Sequence, residues 1–226
     1  MVKCLIFCAG EFSGMLDMPA PGDLCIAADG GYRHAQCAQI CPDVVLGDFD
    51  SLGYIPEGAM VHPVRKDDTD AMLAVKYGLQ QGYREFVLYG AMEGTRLDHT
   101  LAAYQTLQYL ATAGAVGYLV GKDTLATVIR EETVVFPQGK EGTLSLFCMG
   151  ADARGVCLRG LGYSMEDGTL QSDFPLGVSN YFTKEQAVIT VASGSLLCLW
   201  DRAVGLPDRE KRKQEECSYG KRNELG

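Results

Sequence analysis

The 226-residue sequence predicts an α/β fold: an N-terminal Rossmann-like parallel-sheet domain followed by a C-terminal antiparallel β-sandwich. Three observations predict it. Up to about residue 120, short aliphatic runs alternate with segments of helical periodicity, the pattern of parallel strands joined by helices. After residue 121, short apolar runs sit between turn residues with no convincing helix separating them, the pattern of antiparallel sheet. Aspartates also gather just beyond successive strands of the first half, at the edge where open α/β sheets bind ligands. The expected division is residues 1–125, 126–205 and a charged tail over 206–226, with the boundary near 122–132.

Residues 3–8 form the first strand, and the Gly10-Glu11-Phe12-Ser13-Gly14 turn after it is a weak phosphate-loop signal. Leu24 to Ala28 is the second strand, followed by Asp29-Gly30-Gly31 and a helix from Tyr32 to Ile40. An aspartate before two glycines reads either as a turn or as a loop that lets phosphate approach a helix N-terminus. Val44-Val45-Leu46 is a continuous aliphatic run, as in a strand buried on both faces. Gly47 then lets the chain turn, and Asp48 and Asp50 follow at alternate positions. That spacing lets both reach one hard cation such as Mg²⁺, which takes oxygen ligands and usually brings phosphates with it. A solvated acidic turn is the plain alternative.

A fourth strand over 59–64 leads into Arg65-Lys66-Asp67-Asp68-Thr69-Asp70 and a helix with Met72, Val75 and Leu79 on its apolar stripe. Asp68 or Thr69 is a competent N-cap. Capping explains one residue of that cluster, not three aspartates in four positions. The fifth strand, Glu85 to Tyr89, runs into Gly90-Ala91-Met92-Glu93-Gly94-Thr95-Arg96-Leu97-Asp98-His99. The next helix, from Asp98 to Ala113, carries Leu101, Tyr104, Leu107 and Leu110 and stops at Gly114. Asp98 can also be read as its cap. Residues 116–120 make a sixth strand.

The second to fifth strand ends thus deliver acidic residues to one edge. Two carboxylates ~5 Å apart repel by roughly 3 kcal/mol at an effective dielectric near 20. Several converging carboxylates therefore call for a shared cation. In the second half, residues 133–136, 142–148, 155–159, 187–191 and 195–200 read as strands. The tail lacks apolar periodicity and reads as solvated or loosely helical.

Composition narrows the classes. Hydrophobic residues are 47% and charged residues 22%, ordinary for a globular protein. A net charge of −9 argues against a nucleic-acid surface. No run of 18 apolar residues exists, so no membrane span is expected. Met1 to Gly10 reads as a strand rather than a signal peptide, which with the cysteines predicts a cytoplasmic protein. The nine cysteines are scattered, several within apolar strands (Cys4, Cys8, Cys25, Cys148, Cys198), and no Cys-x-x-Cys occurs. They read as small core hydrophobes in a reducing compartment and argue against zinc. A Walker-type nucleotide loop is absent.

Taken together, Ala28-Asp29-Gly30-Gly31, Gly47-Asp48-Phe49-Asp50-Ser51, Lys66-Asp67-Asp68-Thr69-Asp70 and Arg96-Leu97-Asp98-His99 resemble the thiamine pyrophosphokinase family. So do Gly160-Leu161-Gly162-Tyr163-Ser164 and Gly177-Val178-Ser179-Asn180, so that the resemblance covers about residues 3–200. It implies transfer of a pyrophosphoryl group from ATP to the thiamine hydroxyl, giving thiamine diphosphate and AMP. It also implies a catalytic α/β domain, a thiamine-binding sandwich, and a homodimer with the active site between subunits. By resemblance, Asp48, Asp50, Asp67, Asp70 and Asp98 form the acidic cluster that holds Mg²⁺ and the phosphates. Asp29, Gly30, Gly31, Thr69, Arg96 and His99 are the implied nucleotide contacts, and Ser179 and Asn180 the thiamine contacts. One departure stands out. Gly90 to Arg96 spans seven residues where the family pattern has six. Trp200 lies in the strand from which some members stack a tryptophan on thiamine, without matching it residue for residue; a core tryptophan is the other reading.

Lys66 and Lys122 are further phosphate candidates, each also readable as surface charge. His99 is readable as a base or as a helix-start histidine. Two other functions fit parts of the pattern. An aspartyl-phosphate phosphatase would use Asp48 as a covalent nucleophile. A non-catalytic module would bind a cationic heterocycle or nucleotide. The acidic strand ends favour metal–phosphate chemistry over both.

Overall fold

A computed structural model of the chain describes residues 2–63 and 67–211. The expected α/β organisation is present. Strands β1 (Cys4–Phe7), β2 (Leu24–Ala28), β3 (Val44–Gly47), β4 (Met60–Val61), β5 (Glu85–Tyr89) and β6 (Val116–Val120) pair in parallel in the order β4-β3-β2-β1-β5-β6. Helices α1 (Gly31–Cys37), α2 (Asp70–Gln80) and α3 (Leu97–Thr112) lie in the connections. Strand order reverses at β1, between β2 and β5. In an open parallel sheet such a switch point opens a crevice beyond the strand ends.

Side chains alternate across each strand and so build two cores. Cys4, Ile6 and Cys8 pack with Ala74 and Val75 of α2 and with Leu107 and Leu110 of α3. Leu5 and Phe7 face the other way, toward Ala35 of α1. There α1 lies directly on β1: a Cβ at Gly31 would collide with the Phe7 carbonyl, so only glycine fits.

The second half comprises β7 (Thr124–Arg130), β8 (Glu132–Phe136), β9 (Thr143–Cys148), β10 (Ala153–Arg159), β11 (Met165–Leu170), β12 (Asn180–Tyr181), β13 (Ala187–Thr190), β14 (Ser195–Asp201) and β15 (Asp208–Lys211). Strands β7, β14, β9 and β12 continue the parallel sheet antiparallel from β6, giving ten strands in one sheet. The other five form a second antiparallel sheet, β11-β10-β13-β8-β15. The core on the α1 side runs without a break into the space between the two sheets, through Val134, Phe136, Leu144 and Trp200.

Three details differ from the sequence expectation. A strand that was not foreseen, β7, lies within the boundary stretch 122–132, its centre fully buried between β6 and β14. The chain changes sheets at Glu131, which takes a left-handed φ of 50° between β7 and β8. Residues 208–211, read as part of a solvated or loosely helical tail, form the edge strand β15. Arg209 is drawn inward there: it pairs with Glu132 at 3.1 Å, donates to the Thr127 hydroxyl at 2.6 Å, and stacks over the Tyr118 ring. The rest of the tail, 212–226, and Val64, Arg65 and Lys66 lie outside the described residues. Finally, β11 and β12 were not anticipated. Trp200 resolves to the core reading. It is buried edge-on to Phe136 at 5.5 Å, and its indole N–H donates to the Gly205 carbonyl at 2.8 Å.

Candidate active site

A cavity of about 580 Å³ opens at the switch point, within the usual size of small-molecule sites. Its floor is the segment that follows β1 (Cys8, Ala9, Gly10). Asp29, Asp48, Asp50, the start of α2 and the β5–α3 loop form its sides. Asp29 stands immediately after β2 with a left-handed φ of 49°, and its N–H donates to the Leu46 carbonyl at 2.8 Å. Gly47 permits this closeness. It adopts φ 148°, and a Cβ there would come 3.0 Å from the Asp29 nitrogen.

The next turn is held from below. Phe49 takes φ 59° with its ring buried, leaving the flanking Asp48 half-buried and Asp50 exposed on the cavity side. Left-handed backbone at a bulky residue costs about 1–2 kcal/mol and tends to occur at functional sites. Buried Leu52 anchors the far end, and Arg33 of α1 donates to its carbonyl at 2.8 Å. One carboxylate oxygen from each of Asp29, Asp48 and Asp50 lies within 4.8 Å of the others. Asp29 is buried; Ser51 donates to its Oδ2 at 2.5 Å, while its Oδ1 has no protein partner. A buried acceptor without a donor is unfavourable by about 1–3 kcal/mol unless a ligand supplies the contact. Carboxylate oxygens are the donor type that hard divalent cations take, so these three residues could hold one.

The other expected residues separate into two groups. Asp70 and Thr69 line the cavity. Thr69 also caps α2, its hydroxyl accepting from the Met72 N–H at 3.2 Å. Cys8 lies beside Asp70; burial first, and that carboxylate second, push its thiol up to about 12, so it is neutral at pH 7. Arg96 and His99 line the wall contributed by the β5–α3 loop. Gly30, Gly31, Asp67 and Asp98 do not line the cavity. Asp67 is exposed, and Asp98 holds Arg96 in a two-point pair of 2.9 and 2.6 Å on the surface. That pair lowers the Asp98 carboxyl to about 2, chiefly through the hydrogen bond from Arg96. Lys122 is exposed, with its backbone N–H bound to Glu93.

Three lining residues were not singled out from the sequence. Asp68 lines the cavity with both oxygens 2.7 Å from the Lys76 ammonium, Glu93 faces the same space, and Ser51 holds Asp29. Asp68 lies within the Lys66–Asp70 motif, but its partner Lys76, eight residues on, stands at a spacing that sequence alone would not pair. Nothing local pointed to Glu93.

Ser179 and Asn180 are placed in the sandwich, away from the cavity lining. Ser179 has a left-handed φ of 62°, and its N–H donates to the Ser145 hydroxyl. Asn180 is buried. Its amide accepts from the Tyr163 and Tyr181 N–H groups and donates to the Tyr163 carbonyl. The two tyrosine rings meet edge-on at 6.0 Å and are exposed.

Residues 20–116 match the family model of the thiamin pyrophosphokinase catalytic domain, and residues 131–197 that of the thiamin pyrophosphokinase vitamin B1 binding domain. Thiamine pyrophosphokinase of Bacillus subtilis superposes with a TM-score of 0.76 at 20% identity, covering 88% of this chain and 98% of that one. The Geobacillus thermodenitrificans thiamin pyrophosphokinase gives 0.74 at 22% identity, covering 89% and 97%. That of Candida albicans gives 0.70 at 13%, covering 88% of both chains. A search of curated proteins gives no match. With its two halves matching the two domains of one enzyme in the same order, this chain belongs to the thiamin pyrophosphokinase family.

Proposed function

We propose that the chain transfers the pyrophosphoryl group of ATP to the hydroxyl of thiamine, releasing AMP, with Mg²⁺ as the required ion. The observation that carries this reading is the unpartnered, buried Oδ1 of Asp29 beside Asp48 and Asp50 at the switch-point cavity. Those three residues would hold the ion, with Asp70 across the cavity. When bound, the ion would neutralise phosphate charge. Arg96, which lines the wall, would take charge on the phosphates, and the neutral Cys8 thiol offers no nucleophile. Positioning and charge neutralisation are what phosphoryl-type transfer needs.

The thiamine side is the Ser179–Asn180 turn, which offers a hydroxyl beside the exposed Tyr163 and Tyr181 rings. The cavity lining ends at Thr106 among the described residues. A homodimer in which the cavity of one chain meets the turn of a second is the arrangement that brings both halves to one reaction. All eight described cysteines are free, which fits a reducing, cytoplasmic setting. No helix among the described residues is long and apolar enough to cross a membrane.

Incubation with ATP, Mg²⁺ and thiamine, followed by nucleotide separation, tests the reading. One AMP per thiamine consumed is expected, with no activity in chelator and no phosphate released. ADP, or phosphate release without thiamine, overturns it in favour of an ordinary kinase or an aspartyl-phosphate phosphatase.

A further inference from the structure

We propose that Arg202 and Glu93 are positioning residues that together fix the cavity wall carrying Arg96; this rests on the function proposed above. Arg202 follows the last residue of β14 and reaches back across nearly the whole chain. Its Nη1 donates to the Ser13 and Gly121 carbonyls, both at 2.9 Å. Its Nη2 donates to the Gly14 and Met15 carbonyls at 3.2 and 3.0 Å. All four partners are backbone oxygens, from two separate segments. Only a planar fork of N–H donors can serve four acceptors set in this way; an ammonium group on a single stem cannot.

Glu93 grips the same two segments with the opposite charge. Its two carboxylate oxygens each accept from the Lys122 N–H at 2.9 Å, and the Ser13 hydroxyl approaches Oε2 at 3.5 Å. Its own carbonyl accepts from the Glu11 N–H at 3.1 Å. The far end of this loop is pinned separately: Phe12 stacks on His34 at 5.3 Å, and His34 Nε2 lies 2.7 Å from the Gly10 carbonyl oxygen. Glu93 is therefore both a clamp on the loop and the first of four consecutive lining residues, Glu93, Gly94, Thr95 and Arg96. Through it, a residue at the end of the sandwich's central strand sets where the phosphate-side arginine stands. The clamp ties the half expected to bind thiamine to the half expected to bind ATP.

The test uses the full chain carrying Arg202→Lys or Glu93→Gln. Amide hydrogen exchange over residues 11–16 and 91–96 is measured beside steady-state kinetics and thermal unfolding. Arg202→Lys is expected to speed exchange in both segments. It should raise the KM for ATP about tenfold, equivalent to ~1.4 kcal/mol of lost phosphate contact, and leave the KM for thiamine nearly unchanged. Glu93→Gln keeps one acceptor oxygen and should move the same quantities less. Because both residues hold the same segments, the double variant should lose less than the product of the single losses. Faster exchange confined to 11–16, or a lower melting temperature with both KM values unchanged, overturns the proposal and leaves Arg202 a purely structural tie. Should Arg202→Lys fail to fold, unaltered exchange over 91–96 in Glu93→Gln overturns it alone. A wild-type chain that forms no AMP sinks the functional reading instead, and the exchange comparison still decides the clamp.

Discussion

Asp29, at the end of β2, and Asn180, at the start of β12, are both buried polar side chains in turns expected to meet a ligand, and they are treated in opposite ways. Asn180 has its carbonyl and amide engaged with its own neighbours, Tyr163 and Tyr181. Asp29 has one oxygen held by Ser51 and one left bare beside two more carboxylates. Burying an unpartnered acceptor among like charges destabilises the fold, and satisfying an amide rigidifies it. The sheet edge thus leaves an acceptor open, which the proposed cation would complete. The sandwich turn is built to be stiff, and offers a ligand only what protrudes from it.

The two arginine–carboxylate pairs show the same division. The side chains of Arg209 and Glu132 are 11% and 9% exposed, within the sandwich; those of Arg96, on the cavity wall, and its partner Asp98 are 66% and 65% exposed. The first pair is locked into the structure. The second is exposed and contributes little, so in the proposed reaction Arg96 would exchange Asp98 for a phosphate at little cost.

The sharpest way to break this comparison is to remove charge at the edge. Asp29→Asn or Asp48→Asn should lower Mg²⁺-dependent turnover by on the order of 10²–10³-fold. Without metal, thermal unfolding of either variant should be unchanged or slightly higher. Wild-type rates in both would mean that the carboxylates share no ion. Next comes the sandwich pair. Arg209→Met leaves Glu132 buried and uncompensated and should destabilise by about 3 kcal/mol in denaturant titration, whereas Arg96→Gln should leave the unfolding midpoint in place. Equal effects would erase the distinction between locked and available pairs.

The turn itself gives a smaller signal. Asn180→Ala removes three hydrogen bonds and should destabilise by about 2 kcal/mol. Ser179→Ala should leave stability alone and weaken thiamine binding more than ATP binding in calorimetry; equal weakening of both ligands would separate this turn from thiamine recognition. The smallest effect is in acid. Arg96 depresses the Asp98 carboxyl from its ordinary 3.8 to about 2. A depressed folded-state value contributes stability that is present above about 3.8 and lost as pH falls through about 2. Arg96→Gln should return the Asp98 midpoint, followed by carboxyl NMR, to near 4, and high salt should do part of the same. An unmoved midpoint would mean that the pair does not persist in solution.

The parallel strands, the helices between them and the acidic turn at residues 47–51 were legible in the sequence because their causes are local. Aliphatic runs, helical spacing and the Gly-Asp-x-Asp order each act within a few residues. The strand at 124–130 was not foreseen inside the boundary stretch, because its burial depends on β14, about seventy residues further on, as well as on the preceding β6. The edge strand at 208–211 was missed because it forms only when Glu132, far back in the chain, supplies a partner for Arg209. The site divides along the same line. Aspartates at the ends of β2 and β3 were foreseen, yet only the tertiary structure brought Asp29 into one set with Asp48 and Asp50, turned Asp98 toward Arg96, and placed Glu93 at the wall. A carboxylate's chemistry depends on which charges and donors stand within a few ångströms, and that distance is decided by strand order and chain crossings rather than by residue spacing.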